Sequence, residues 1–186
     1  PDKWGEGALA HYREIIQGAI QLGLQPMVTL HHFPDPLWLY ERGAWEDDQA
    51  PEYFAAYVRK VVNALGDLVD LWVTINEPAV YVTGGYIDGN FPPGKSDLGA
   101  AFHVMRNMLK GHAAAYRIIH ELQPQAQVGY AKHYRGFEPA RNWFLPDILI
   151  ANFQSASFND AFSDALVSGQ LRFALKSEFV PEAVGT

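Results

Sequence analysis

The apolar positions of this chain alternate between two periods. Over residues 8–22, Ala8, Tyr12, Ile15, Ile16, Ala19, Ile20 and Leu22 recur at steps of three and four, which predicts an amphipathic helix. Gly23 stands where a left-handed C-cap belongs. Gln25 to His31 is short, β-rich and opened by Pro26, so it reads as a buried strand. Pro51 fits the first turn of a second helix. Phe54, Tyr57, Val58, Val61, Val62 and Leu65 form its apolar stripe, and Gly66 ends it. Leu68 to Ile75 reads as the next strand, with Leu71, Trp72, Val73 and Ile75 nearly continuously apolar, as in a strand covered on both faces. Asp97 is a candidate N-cap for a third helix through Leu122, stopped by Pro124, and Gln127 to Lys132 is a third strand. From Asn142 to Val167 the pattern is helical but interrupted, with Pro146 barring a clean interior. After Ser168 the pattern assigns no element.

Strand, helix, strand, helix, strand is the order of parallel β/α units. The long connections, Phe33 to Gln49 and Pro78 to Ser96, both follow strands. In β/α barrels such loops build the active site. A doubly wound sheet would share the local pattern, but no Gly-x-Gly-x-x-Gly follows any strand, so dinucleotide binding has no support. Three strands cannot close a barrel of eight. The expected fold is therefore α/β, a partial (β/α)8 barrel, with residues 1–186 forming one incomplete catalytic-domain fragment. Pro1 at the first position, where an initiator methionine would stand, points the same way.

Composition narrows the function. The chain has 186 residues, 21 acidic and 14 basic side chains and a net charge of −7. A nucleic-acid binder needs a basic face, and an anionic membrane surface needs the same, so neither partner is expected. Apolar residues at 48% and charged ones at 19% leave enough for a core. No apolar run is long enough to span a bilayer. The absence of cysteine excludes disulfides, thiolate metal sites and cysteine nucleophiles. It is compatible with a reducing compartment, and the expectation is a cytoplasmic protein.

Two stretches carry candidate chemistry. In Trp72-Val73-Thr74-Ile75-Asn76-Glu77-Pro78 a carboxyl group stands at the C-terminal end of a buried strand, and Pro78 ends the ladder because it has no amide donor. Burial there would raise the Glu77 pKa, and a carboxyl group that keeps its proton can give it to a leaving group. The plain alternative is a solvated strand-end glutamate. In Thr29-Leu30-His31-His32-Phe33-Pro34-Asp35-Pro36-Leu37-Trp38 adjacent residues face opposite ways. One histidine can meet a ligand while the other packs beneath a helix, or both can be structural. A metal site would need a third ligand at a recognisable spacing, and none is present. No metal or cofactor is expected.

Taken together the stretches resemble glycoside hydrolase family 1, the β-glucosidase and β-galactosidase family. Pro26 to Phe33 looks like its third barrel strand, and Leu71 to Pro78 like its fourth with the Asn-Glu-Pro signature. Arg42-Gly43-Ala44-Trp45, Gly85-Tyr86, Phe91-Pro92-Pro93-Gly94, Val128-Gly129-Tyr130 and Phe137-Glu138-Pro139 fall in order at matching separations. The resemblance implies a retaining β-glycosidase acting on a β-linked glycoside or oligosaccharide, with strands three to five present. It implies that Glu77 is the general acid/base, that Asn76 donates to the C2 hydroxyl, and that His32 contacts the C3 hydroxyl side of the same sugar. His31 is then structural. The family's nucleophile motif, Ile/Thr-Glu-Asn-Gly, is absent, so the chain by itself is expected to be inactive. Ala79 stands where relatives often carry a larger side chain, which puts aglycone stacking there in doubt. A glutamine at position 77 would point to thioglucosidases; the glutamate favours O-glycosides.

Other residues have plainer readings. His103, His112 and His120 fall on a helix as packing or surface residues, and Trp45 reads as a loop anchor. Tyr130, Lys132, His133 and Tyr134 end the third strand and either reach the site or do not. A non-catalytic carbohydrate-binding protein derived from such a barrel remains the alternative function, and another Asn-Glu-Pro glycosidase barrel a third.

Overall fold

The computed structural model describes residues 4–186. The chain divides into two compact units: the first runs to Asn76 and resumes over Gly111–Ala131, and the second comprises Glu77–Lys110 and Lys132–Thr186.

The first unit holds a parallel three-stranded sheet of β1 (Met27–His31), β2 (Leu71–Asn76) and β3 (Gln127–Ala131), in that order. Met27 pairs with Leu71 and Leu71 with Gln127, so the strands start level. Between Val73 and Asn76 the β2–β3 register shifts, and Asn76 pairs with Ala131. Before β1 comes α1 (Glu6–Gln21). Gly23, at φ +79°, ends it as predicted. Gly23 N–H bonds Ile20 O and Leu24 N–H bonds Ala19 O, the paired bonds of a Schellman cap. Only Ile16 of α1 is buried, while Tyr12, Ile15, Ile20 and Leu22 are exposed. The predicted apolar stripe thus stays largely uncovered, because β1 is an edge strand with no neighbour on its outer side among the described residues.

A single helical turn, α2 (Leu37–Tyr40), follows β1. Then comes α3 (Ala50–Leu65), with Pro51 in its first turn and Phe54, Val58, Val61, Val62 and Leu65 buried. Each such side chain contributes about 1.5–3 kcal/mol of transfer free energy. Gly66 follows in right-handed geometry at φ −68°. Its glycine identity answers crowding, since a Cβ there would lie 2.6 Å from Val62 O and 3.0 Å from the Gln123 side chain. Gln123 Nε2 donates to Gly66 O and Val69 O, and its Oε1 accepts from Trp72 Nε1 at 2.9 Å. One amide thereby fixes both the entry into β2 and the buried Trp72.

The long helix α5 (Leu98–Leu122) gives its residues to Lys110 to the second unit and those from Gly111 to the first. Asp97 caps it, accepting from Gly99 N–H at 2.7 Å and Ala100 N–H at 3.1 Å. The Ala100 and Gly99 amides hold its carboxyl below the usual carboxylate range. Also in the second unit, α4 (Pro78–Val82) and a π-turn (Thr83–Ile87) occupy part of the expected loop. Later come α6 (Leu145–Ser155), a π-turn (Ala156–Asp160) and α7 (Ala161–Ser168). Pro146 sits harmlessly in the first turn of α6. The predicted interruption is real, but the π-turn makes it. The unassigned tail is an antiparallel hairpin of β4 (Gln170–Phe173) and β5 (Lys176–Phe179), joined by Ala174 and Leu175 at φ +47° and +64°. Two positive-φ residues make a type I′ turn, which usually carries Asn-Gly.

Candidate functional site

β2 is buried along Trp72, Thr74 and Ile75 and ends at half-buried Asn76. Pro78 forces the change that follows: it cannot extend the ladder, and its fixed φ suits the first position of α4. Glu77, caught between strand and helix, takes φ +43° and ψ +61°. Its carbonyl accepts from Val80 N–H at 2.9 Å and Tyr81 N–H at 3.1 Å, opening the helix. A left-handed conformation costs a non-glycine residue about 1–2 kcal/mol. Strain of this kind gathers where a side chain must be aimed.

The Glu77 side chain is 30% exposed rather than buried as the sequence suggested, and Oε1 lies 3.3 Å from His133 Nδ1. A half-exposed pair contributes about 0–1 kcal/mol, too little to offset the backbone strain beside it. The imidazole stands edge-on to Phe158, with centroids 5.8 Å apart. Phe158 is buried, and the Arg135 guanidinium lies over its ring at 4.4 Å. Asn159, 2% exposed, clasps the Arg135 backbone, donating to its carbonyl at 2.8 Å and accepting from its N–H at 2.9 Å. Of the four residues left undecided at the end of β3, the structure thus brings His133 to the candidate acid.

In the sheet unit, His31 closes β1 and His32 follows it. The predicted division of labour holds for burial. His31 is 7% exposed, its Nε2 lying 3.2 Å from Asp35 Oδ1 and 3.3 Å from Trp45 Nε1. Trp45, 1% exposed, packs against both His31 and Phe54, so it anchors its loop. His32 is exposed, its ring edge-on to Phe33 at 5.3 Å. Asn76 carries an amide at the end of β2, and an amide can both donate to and accept from a hydroxyl.

The helix histidines pack. His103 lies against Arg106, His112 is buried against Thr74, and His120 Nδ1 donates to Tyr116 O at 3.0 Å. Among the described residues no group of three or more His, Asp or Glu side chains is arranged to hold a metal ion, and no helix is long and apolar enough to cross a membrane.

The chain is similar to known proteins. The family model of Glycosyl hydrolase family 1 matches residues 3–183. The chain is similar to beta-glucosidase A of Thermotoga maritima, 33% identical over 132 residues, covering 71% of this chain and 30% of that protein. It is also similar to 6-phospho-beta-galactosidase of Clostridium acetobutylicum, 35% identical over 143 residues, covering 75% of this chain and 30% of that one. The solved beta-glycosidase from Pyrococcus horikoshii superposes with a TM-score of 0.90 at 36% identity, over 97% of this chain and 42% of that one. The three-stranded sheet is therefore part of a (β/α)8 barrel and not a closed one. The chain spans about 30% of the length of these curated relatives.

Proposed function

We propose, from the premise that this chain belongs to glycosyl hydrolase family 1, that it supplies the acid/base half of a retaining β-glycosidase site. The substrate class is a terminal β-D-glycoside or β-linked oligosaccharide. Glu77 gives its proton to the glycosidic oxygen as the bond to the anomeric carbon breaks. A second carboxylate attacks that carbon. Glu77, now ionised, takes a proton from water, whose oxygen displaces the enzyme and frees the sugar. Asn76 donates to the C2 hydroxyl, and His32 contacts the C3 hydroxyl side.

The observation that carries this reading is the Glu77 carboxyl group itself. It follows a buried parallel strand, on a strained left-handed backbone, partly open to solvent. Parallel β/α folds place their chemistry at such strand ends. The names of the relatives, a beta-glucosidase and a 6-phospho-beta-galactosidase, agree with the substrate class. A retaining mechanism needs two carboxyl groups about 5–5.5 Å apart. The nucleophile motif is absent from these 186 residues, so we expect no turnover from this chain by itself.

The test is Glu77→Gln in the complete protein. With an alkyl β-glucoside, whose leaving group needs protonation, kcat/KM should fall by about 10²–10⁴. With a dinitrophenyl β-glucoside, which leaves unprotonated, the loss should stay within about tenfold. Equal losses on both substrates would remove Glu77 from the acid role.

A further inference from the structure

We propose that His133 is a positioning residue for Glu77, its Nδ1–H holding Oε1 so that Oε2 carries the transferred proton; this rests on the acid/base reading of Glu77. The geometry is specific. Nδ1 is the ring nitrogen turned to the carboxyl group, 3.3 Å from Oε1. That distance is long for a hydrogen bond, as catalytic contacts often are without substrate.

The imidazole is held from behind. Its edge contact with buried Phe158 fixes the ring, and Arg135 stacks on that same phenylalanine. The Asn159 amide pins the Arg135 backbone two residues further on. Lys132, on the other side, reaches Ser163 Oγ at 3.1 Å and Asp160 Oδ1 at 3.7 Å. Position 133 thus lies between two tethered residues, and its ring has one edge-on aromatic contact and one polar contact. The pair is too exposed to be explained by stability, whereas a fixed carboxyl rotamer bears directly on proton delivery.

The proton count holds in both halves of the reaction. A neutral imidazole protonated on Nδ1 donates to the carboxylate when Glu77 is ionised. When Glu77 is protonated on Oε2, Oε1 is the carbonyl oxygen and still accepts the same bond. His133 therefore needs no change of tautomer. It transfers no proton and touches no substrate atom.

The experiment uses the complete protein with His133→Phe and His133→Asn, and an alkyl and a dinitrophenyl β-glucoside as probes. His133→Phe should lower kcat/KM on the alkyl glucoside by about tenfold and leave the dinitrophenyl glucoside within about twofold. His133→Asn, which keeps an N–H donor, should recover most of the loss. Adding His133→Phe to Glu77→Gln should cost nothing more on either substrate. Equal losses on the two substrates, no loss, or no recovery by asparagine would overturn the role of His133. If Glu77→Gln alone loses equally on both substrates, the acid reading fails first and takes the positioning role with it. Should His133→Phe not fold, His133→Asn and His133→Gln read against wild type decide. Both must keep the activity ratio of the two substrates near wild type, and a shift toward the Glu77→Gln ratio refutes the role of the donor.

Discussion

Replacing Thr74 by valine tests what holds β2 in place two residues before Asn76. Thr74 is fully buried and His112 is 1% exposed, with Oγ1 2.6 Å from His112 Nδ1 and 3.2 Å from Gly129 O. One hydroxyl proton serves both contacts only one way: His112 Nδ1–H donates to Oγ1, and the hydroxyl donates to Gly129 O. Valine keeps the shape and removes the acceptor. The cost should be the desolvation penalty of a buried N–H losing that partner, about 1–3 kcal/mol. Thr74→Ser keeps the hydroxyl and loses a methyl, about 0.5–1.5 kcal/mol. Size alone would make serine the worse change, and hydrogen bonding makes valine worse. In a His112→Leu background, where no N–H needs an acceptor and only the hydroxyl's bond to Gly129 O is lost, Thr74→Val should cost less, about 0.5–1.5 kcal/mol. Urea unfolding followed by tryptophan fluorescence measures the four variants against wild type. A Thr74→Val cost that is the same in both backgrounds, or smaller than that of Thr74→Ser, would mean that His112 does not depend on the Thr74 hydroxyl.

Purified as the 186-residue chain alone, the protein should release no detectable nitrophenol from an aryl β-glucoside; turnover with multiple equivalents of product would contradict the need for a second carboxylate. The Asp97 cap should make stability depend on acid. Its carboxyl is held below the usual range in the fold by the Ala100 and Gly99 amides. Its contribution is therefore complete above the unfolded carboxylate range and is lost as the pH falls through the folded value. Thermal melts from neutral to strongly acid pH should show a shallower decline in Asp97→Asn, which still caps but cannot titrate. Parallel curves would discount the cap.

What could be read from the sequence follows physical lines. α1, α3 and α5 announce themselves because long helices repeat their apolar positions, and Gly23, Pro51 and Asp97 mark the ends where predicted. β2 is legible because a doubly covered strand is a run of apolar residues. α4 hid because a proline after a strand reads as a stop, although here it is also a start. The β4–β5 hairpin hid because Ala174 and Leu175 carry none of the turn chemistry that their positive φ values call for. At the site, Glu77 is visible from its place at a strand end, while its left-handed backbone is not, since nothing about a glutamate asks for it. His133 could have been found from topology. It follows β3 by two residues as Glu77 follows β2 by one, and the two strands are parallel neighbours. Its ring orientation depends on Phe158 and Asn159, some 25 residues on, and no local pattern encodes that.

The most direct measurement is a crystal structure of the complete protein with an unreacted β-glycoside bound. We expect a Glu77 carboxyl oxygen at about 2.6–3.2 Å from the glycosidic oxygen, with the other oxygen facing His133. A sugar seated with its glycosidic oxygen out of reach of Glu77, and nearer some other acid, would contradict it.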